Sequence, residues 1–560
     1  MDKQAWLKNY PSEVPHEISF EKITMPELLA RNAECFPDTD ALVYMGTRIS
    51  YRELDVLVNR FARVLMDLGL SRGDTVAMLL PNIPQVVIAN YAAFRIGCTI
   101  ALNNPLYTER ELAYQLNDSD ATALVCLDLL VPRVMNIIGQ TKIRDIIVCH
   151  INDYLPFPLK QLFPLLKRAM FRKVETGEGR HEFMDLLDQQ SDDPVENRAR
   201  WEDVGALLYT GGTTGPSKGA MLTHENMYCN AVQLIRWFPG FKDGEERSLA
   251  VFPFFHSAGF TGVQNGCMLK AWTDILVPRP EPDNVADMIR KFKPTIVPGV
   301  PTIFIGLLNN EKFCSADLSF IKAFIAGAAP LSMDTIKRLK DLTGGDIVNI
   351  YGLTEISPMG TATPWKGLQK PGTVGVPLPN TEVKIVDVDT GTTEMPGGEA
   401  GEILFRGPQV MKGYYKKPEE TTQAIRDGWV YTGDIGFMDE EGFLTIVDRK
   451  KDMIVAAGFN IFPQEIDEIL FDHPAVLEAC CIGIPDEYRG ESVKAYIVVR
   501  PGESLGPDEV KQYCREKLAA YKVPREIEFI DELPKSAVGK ILRRQLRELD
   551  REKREGRKSA

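Results

Sequence analysis

Residues 209–219 read "YTGGTTGPSKG": four glycines, four Ser or Thr hydroxyls and one lysine, directly after the apolar run Val204 to Leu208. Such a stretch suits a polyphosphate. Glycine lets backbone N–H groups come close, hydroxyls donate hydrogen bonds and an ammonium adds charge. The Walker spacing is not met, because Lys218 follows Ser217 and precedes Gly219, where that loop needs G-x-x-x-x-G-K-[ST]. The dinucleotide fingerprint G-x-G-x-x-G occurs nowhere in the chain. What remains is a loop between two strands, entered through Val204 to Tyr209 and left through "GAMLTH" (219–224). A second chemistry competes with it. Gly215-Pro216-Ser217-Lys218-Gly219 fits G-x-S-x-G, the serine elbow of α/β-hydrolases. That serine needs a sharp strand-to-helix turn, whereas here the strand ends about seven residues earlier and no helix follows at once. A plain surface loop is the third alternative.

The elements that must carry this loop are those of an α/β protein. Short β-branched runs such as "DTVAMLL" (74–80), "ATALVCL" (121–127) and "DIIVCH" (145–150) alternate with helical patterns, which predicts layered, largely parallel sheets. A helix is expected from about Thr223, with Met227, Ala231, Leu234, Ile235 and Phe238 on one face. Residues 373–407 change to short strands broken by Gly and Pro, which predicts an antiparallel, β-rich subdomain over 373–447. Beyond "DRKKD" the texture changes again. Helices are expected over 464–471 and 508–519, and strands over 479–484, 492–499 and 526–530, in a compact α+β unit of about 110 residues. The expected division is 1–447, a linker at 448–451, and a small C-terminal domain at 452–560.

The totals limit the function classes. With 560 residues the chain has room for two to four domains, and 44% hydrophobic with 26% charged residues is ordinary globular composition. A net charge of −13 argues against nucleic acid as a partner. The ten cysteines form no C-x-x-C pair and no zinc-like spacing with His, as expected of reduced thiols in a cytoplasmic enzyme. The N-terminal residues have no apolar signal core, and no stretch is apolar for the length of a membrane span. Two basic segments stand out. Residues 156–173, "PFPLKQLFPLLKRAMFRK", have five basic and no acidic residues, with Leu162, Leu165, Leu166, Ala169 and Met170 on one helical face. This is either a packed surface helix or a peripheral contact with the cytoplasmic membrane. From Leu533 onward ten basic residues face four acidic ones, and a solvated helix is expected past 545.

At this point the residues resemble a family. "YTGGTTGPSKGAMLTH" is similar to the phosphate loop of adenylate-forming enzymes, and the likeness continues through "PFFHSAGF" (253–260), "GAAPLS" (327–332), "YGLTE" (351–355), "YTGDIG" (431–436), "DRKKDMIVAAGFNIFPQEI" (448–466) and "PKSAVGKILRR" (534–544). "WLKNYPSEVPHEI", "NPLYTERELAYQLNDS" and "DGWVYTGDIGFMDEEGFLTIVDRKKDMI" most resemble bacterial long-chain fatty-acid–CoA ligases. The resemblance implies layered α/β subdomains, a β-rich subdomain and a mobile C-terminal domain. It implies that ATP and a carboxylic acid form acyl-AMP with loss of pyrophosphate, after which CoA takes the acyl group. Fatty acids of medium to long chain are the expected substrates; aromatic or alicyclic acids are the alternative. The resemblance also leaves a homodimer open.

By the same resemblance, Thr210, Gly211, Gly212, Thr213, Thr214, Gly215 and Lys218 hold the β- and γ-phosphates. Gly327, Ala328 and Ala329 line adenine, Tyr351 stacks on it beside Gly352, and Thr354 reaches the α-phosphate. Glu355 holds Mg²⁺, an ion that takes few protein ligands beside phosphate. Asp434 and Arg449 hold the ribose. Lys540 bridges carboxylate and α-phosphate, Lys451 is a hinge, and Gly458 with Phe459 lines the CoA path. His256 gates the acyl site, where Ser257, Ala258 and Gly259 leave room. Taken alone, His256 and Tyr351 read as core residues and Lys540 as one more tail lysine.

Overall fold

The computed structural model describes residues 5–210, 216–327, 331–456, 459–486, 489–536 and 539–558. The chain falls into two compact units. The larger comprises Leu7–Glu382 with Phe405–Val430, and the smaller comprises Met1–Trp6, Val383–Leu404 and Tyr431–Ala560.

The larger unit is built on two sheets of mainly parallel strands. In the eight-stranded sheet, Thr75–Leu79 pairs in parallel with Thr99–Leu102 and Ala123–Leu127, and Val204–Thr210 extends it from Thr99–Leu102. Each central strand is apolar along its length because helices cover both faces; Thr75–Leu79 is buried at every position. The strand Lys218–Thr223 turns back antiparallel on Val204–Thr210, and Gly413–Tyr414 adds a short edge to it. In the nine-stranded sheet, Arg247–Ala250, Ile296–Gly299, Ala323–Ala326 and Asp346–Gly352 run parallel in that order. Antiparallel strands, including Val376–Pro377, finish its edges, so residues 373–381 do not begin the β-rich region as expected.

Between the loop hairpin and the nine-stranded sheet runs the helix His224–Arg236. Thr223 caps it by accepting from Asn226 N–H, and Asn226 answers through its side chain. Eleven of its thirteen residues are buried, so the expected apolar stripe is one side of a helix enclosed all round.

The smaller unit holds antiparallel strands, among them the strand Trp429–Met438 from Tyr431 onward, paired with Leu444–Arg449, and a five-stranded sheet built on Val476–Asp486 and Gly490–Val499. Helices Pro463–Phe471 and Pro507–Lys517 pack on that sheet around Ile466, Leu470, Val510 and Cys514. The expected boundary at 448–451 lies inside this unit. The strand Leu444–Arg449 crosses that boundary, and Asp448 on it accepts from the Gln464 N–H at 2.7 Å, so the β-rich strands group with the C-terminal residues. The terminal helix Arg543–Lys558 is not simply solvated either. Leu546 is buried, Arg547 pairs with Asp452 at 2.6 Å, and Lys494 sits between Glu528 and Asp550 at 2.8 and 2.6 Å. All ten cysteines are free, and eight of them are buried.

Candidate active site

The phosphate-loop hairpin closes where Thr210 faces Lys218 in register. Gly211, Gly212, Thr213, Thr214 and Gly215 lie outside the described residues. Ser217 Oγ accepts from Gln115 Nε2 at 3.0 Å, and Ser217 leads into a strand rather than a helix. The hydrolase elbow therefore fails on geometry: no strand-to-helix turn presents this hydroxyl.

Lys218 is half-buried, with its ammonium 4.4 Å from the centroid of the Tyr414 ring. Tyr414 in turn donates its hydroxyl to Glu355 Oε1 at 2.7 Å. Burial and then the Glu355 charge raise the Tyr414 pKa, so the phenol stays a donor. Lysine, phenol and carboxylate thus form one chain, seated by the pairing of Tyr414 with Ala220. Tyr414 was not among the expected residues. The aromatic pair after glycine in "MKGYY" (411–415) is its only trace in the sequence.

Thr354 and Glu355 stand in a single turn, Thr354–Ile356, straight after the strand Asp346–Gly352. Gly352 is required there, since a Cβ would come within 1.8 Å of Pro358 O. Thr354 Oγ1 lies 3.3 Å from Ser257 Oγ, which ties this turn to the 253–260 segment. Tyr351 is half-buried beside Phe405. Gly327 directly follows the neighbouring strand, and a Cβ on it would come within 3.1 Å of Ile350 Cγ1. Gly327 and Tyr351 thus lie at adjacent strand ends; Ala328 and Ala329 fall outside the described residues.

His256 accepts the Ala258 N–H on Nδ1 at 3.2 Å, at the head of a π-helix, Ala258–Asn265. π-Turns are rare and gather at functional sites. The expectation that small residues here make room for an acyl chain is corrected at Gly259. A Cβ on Gly259 would come within 2.2 Å of Pro253 O, so its missing side chain admits backbone instead. Ser257 is buried and occupied with Thr354. Open space occurs one turn on. An apolar cavity of about 20 Å³ is bordered by Gly262, Gly266, Ile235, Phe238 and Ile325.

In the smaller unit Asp434 and Arg449 are cross-strand partners, with Arg449 Nε 2.9 Å from Asp434 Oδ1. Asp434 is buried and Arg449 half-exposed. Lys540 has the accessible surface of an exposed residue, yet protein crowds its ammonium. That desolvation comes first in lowering its pKa to about 8; Arg449 and Lys451 push the same way and Asp434 opposes. Desolvation and then Arg449 also lower the pKa of Lys451. Residues on the N-terminal side of the expected hinge are tied down. Asp448 accepts from the Arg449 and Gln464 N–H groups at 2.6 and 2.7 Å, and Lys450 Nζ donates to Glu402 at 3.1 Å. Gly458 lies outside the described residues, and Phe459 is placed only by its strand, Phe459–Ile461.

No group of three or more His, Cys, Asp or Glu side chains gathers to hold a metal among the described residues. A lone Glu355 suits Mg²⁺, which binds through one or two carboxylates with phosphate oxygens and water completing its shell.

The description of AMP-binding enzymes matches residues 29–415, and that of their C-terminal domain matches 465–540. The long-chain-fatty-acid–CoA ligase of Bacillus subtilis (strain 168) is 41% identical over 553 residues, covering 98% of this chain and 99% of the relative. That of Escherichia coli O157:H7 is 37% identical over 98% of both chains. Among solved structures, ATP-bound MatB from Rhodopseudomonas palustris is 30% identical with a TM-score of 0.83, covering 94% of this chain and 99% of that one. A Mycobacterium tuberculosis fatty acyl CoA synthetase is 28% identical with a TM-score of 0.73, over 94% and 98%. Full-length likeness of sequence and fold, with the expected motifs at strand ends, leads to one conclusion: the chain belongs to the AMP-binding, adenylate-forming enzymes.

Proposed function

We propose that this protein is an ATP-dependent, AMP-forming fatty acid–CoA ligase for medium- to long-chain acids, working at the inner face of the cytoplasmic membrane. A carboxylate oxygen attacks the α-phosphorus of ATP and pyrophosphate leaves, giving acyl-AMP. The CoA thiolate then attacks the acyl carbon and AMP leaves. The first step needs alignment and neutralisation of charge more than covalent help.

The observation that carries this reading is the Asp434–Arg449 ladder pair at 2.9 Å, with Lys540 close enough to feel both charges. An Asp accepts well from two ribose hydroxyls, and a desolvated ammonium beside it suits an anionic reacting centre. In the larger unit, residues 210–218 hold the β- and γ-phosphates, Lys218 adds charge, and Thr354 donates to the α-phosphate. Gly327 and Tyr351 border adenine. Glu355 would hold Mg²⁺, which when bound offsets phosphate charge; Tyr414 keeps that carboxylate in place. His256 lies where the acyl carboxylate enters. The apolar lining beside Gly262 and Gly266 supports a route for the chain, where each buried CH₂ adds about 0.8 kcal/mol of binding. Lys451 is the pivot between the two steps. Its side chain takes no hydrogen bond or ion pair among the described residues, so a turn there breaks no such contact.

Fatty-acid-dependent exchange of pyrophosphate into ATP without CoA, followed by AMP release over a panel of acids from short to long, tests this. The panel includes benzoate and cyclohexanecarboxylate. Exchange with long-chain acids is expected; exchange driven best by benzoate would replace fatty acids with ring acids.

A further inference from the structure

Fourteen large apolar side chains are exposed among the described residues, and five of them fall within ten positions: Phe157, Leu159, Leu162, Leu165 and Leu166. Scattered exposed apolar residues need no explanation, but a contiguous group does. Phe157 is 84% exposed, Leu165 66% and Leu166 67%, so the packed-helix expectation for this segment does not hold. Its helix, Leu159–Leu166, buries only Phe163. Lys160, Lys167, Arg168, Arg172 and Lys173 lie on the same segment; none is in an ion pair among the described residues, and no carboxylate lies between 156 and 173.

The segment is held in place at both ends. Asn152 Nδ2 donates to Lys160 O at 3.1 Å, and Arg172 N–H donates to Asp128 at 2.6 Å. His150 stacks on Phe171 and bridges Asp128 and Glu182 at 2.9 Å each. Burial opposes its charge, but the two carboxylates outweigh burial and raise its pKa to about 10. The apolar residues are therefore displayed by an anchored strap.

A second feature adjoins it. A pocket of about 80 Å³ is bordered by Arg48, Arg247, Lys291 and Lys293, with Asp40 the one carboxylate. Arg48 pairs with Asp40, and Arg247 Nη1 donates to Phe292 O at 3.2 Å. Lys291 and Lys293 are in no ion pair among the described residues. Lys291 and Pro156 flank one glycine: a Cβ on Gly46 would lie 3.9 Å from Lys291 Nζ and 4.0 Å from Pro156 Cγ. Arg247 opens the strand Arg247–Ala250, whose other end leads towards 253–260. The pocket thus lies at the opposite end of that strand from the nucleotide residues.

We propose that the 156–173 strap and this basic pocket form one docking surface for an anionic lipid bilayer. Phe157 and the leucines enter the interface, the strap's cations lie among headgroups, and the pocket takes a lipid phosphate. Amphipathic segments bind by this sum of apolar burial and attraction to anionic lipid. The proposal rests on the membrane location given above, but not on the ligase reaction.

Co-sedimentation of the full chain with phosphatidylcholine vesicles, with and without phosphatidylglycerol, tests it at low and high salt. Binding is expected only with phosphatidylglycerol, and weaker at high salt. Leu165→Ser/Leu166→Ser should lower partitioning at least about ten-fold, and Lys291→Gln/Lys293→Gln about five-fold per lysine. Leu106→Ser, at an isolated exposed leucine, should change nothing. Equal binding to neutral vesicles, or two unaffected double variants, would overturn the proposal. So would full release by inorganic phosphate with the leucine variant still bound, which would make the pocket a site for a soluble anion. Pyrophosphate exchange with a soluble medium-chain acid should be unchanged in every variant. A chain that sediments but lacks that exchange would sink the ligase reading and leave the docking surface standing.

Discussion

The two units hold their functional residues by different physics. In the larger, Thr354, Glu355, Tyr351 and Lys218 are set by strand ends and by a neutral donor: Ser257 beside Thr354, Tyr414 on Glu355, and Lys218 over the Tyr414 ring. In the smaller, Arg449 and Lys451 disfavour the charge on Lys540 while Asp434 favours it, and Asp452 and Asp434 favour the charge on Lys451. The first arrangement is satisfied as it stands. The second carries unfavourable charge that a polyanion would relieve. A site whose repulsion disappears on binding favours the charged ligand and the charge that develops in its reaction. On the function proposed above, this contrast makes the larger unit the one that recognises and the smaller the one that drives.

The sharpest way to break that contrast is Lys540→Ala. It should slow acyl-AMP formation on the order of 10³-fold, while conversion of supplied acyl-AMP to acyl-CoA stays within a few-fold. Single-turnover assays of each half-reaction decide, and equal losses would end the division of labour. Glu355→Gln comes next. It keeps the hydrogen bond from Tyr414 but removes the anion, and should cost about 10²-fold in pyrophosphate exchange with a raised Mg²⁺ requirement. An unchanged Mg²⁺ titration would detach Glu355 from the metal.

A buried ionisable group stands in the larger unit, away from these residues. Asp274 is 2% exposed, and among the described residues neither carboxyl oxygen has a hydrogen-bond partner. Burial lifts its pKa well above the usual carboxylate range. The folded protein therefore keeps a proton that the unfolded chain sheds above about pH 4, and stability falls as pH rises from there. Asp274→Asn should raise stability at neutral pH by about 1–3 kcal/mol, with the gain vanishing toward pH 4. Denaturant melts at several pH values measure it. A pH-independent gain would mean that Asp274 is not titrating.

Lys451→Pro tests the pivot with a smaller effect. It should slow thioester formation about ten-fold more than adenylation. A selective adenylation defect would place the turning point elsewhere.

How legible was this in the sequence? The strands over 75–79, 123–127 and 145–149 and the helix from 224 stand where periodicity and capping put them, because burial on both faces writes a continuous apolar run. The hairpin around residues 210 and 218 was legible from its flanks. Gly259 was not, because a glycine that admits backbone and one that admits ligand look the same in one dimension. Tyr414 was hidden because its strand is two residues long and acquires meaning only against Lys218–Thr223. The grouping of 431–449 with the C-terminal residues depends on long-range contacts, such as Asp448 with Gln464 and Arg543, that leave no mark on local pattern. The ion pairs that bind the terminal helix were read as a solvated face for the same reason: charge pattern does not say which charges meet.

The smallest effect separates the two units most directly. With the Lys540 pKa lowered to about 8, its ammonium loses its proton as pH rises through that value. Since kcat/KM follows the free enzyme, kcat/KM for adenylation should fall about two-fold between roughly pH 7 and 8, and more steeply above. Bound triphosphate adds negative charge near the lysine and restores its proton, so the kcat profile should break at higher pH than the kcat/KM profile. Lys540→Arg, which cannot lose its charge in this range, should flatten both profiles at some cost in rate. If the break persists in the arginine variant, the titrating group is not Lys540, and the repulsion gathered in the smaller unit does not set the pH dependence of the first step.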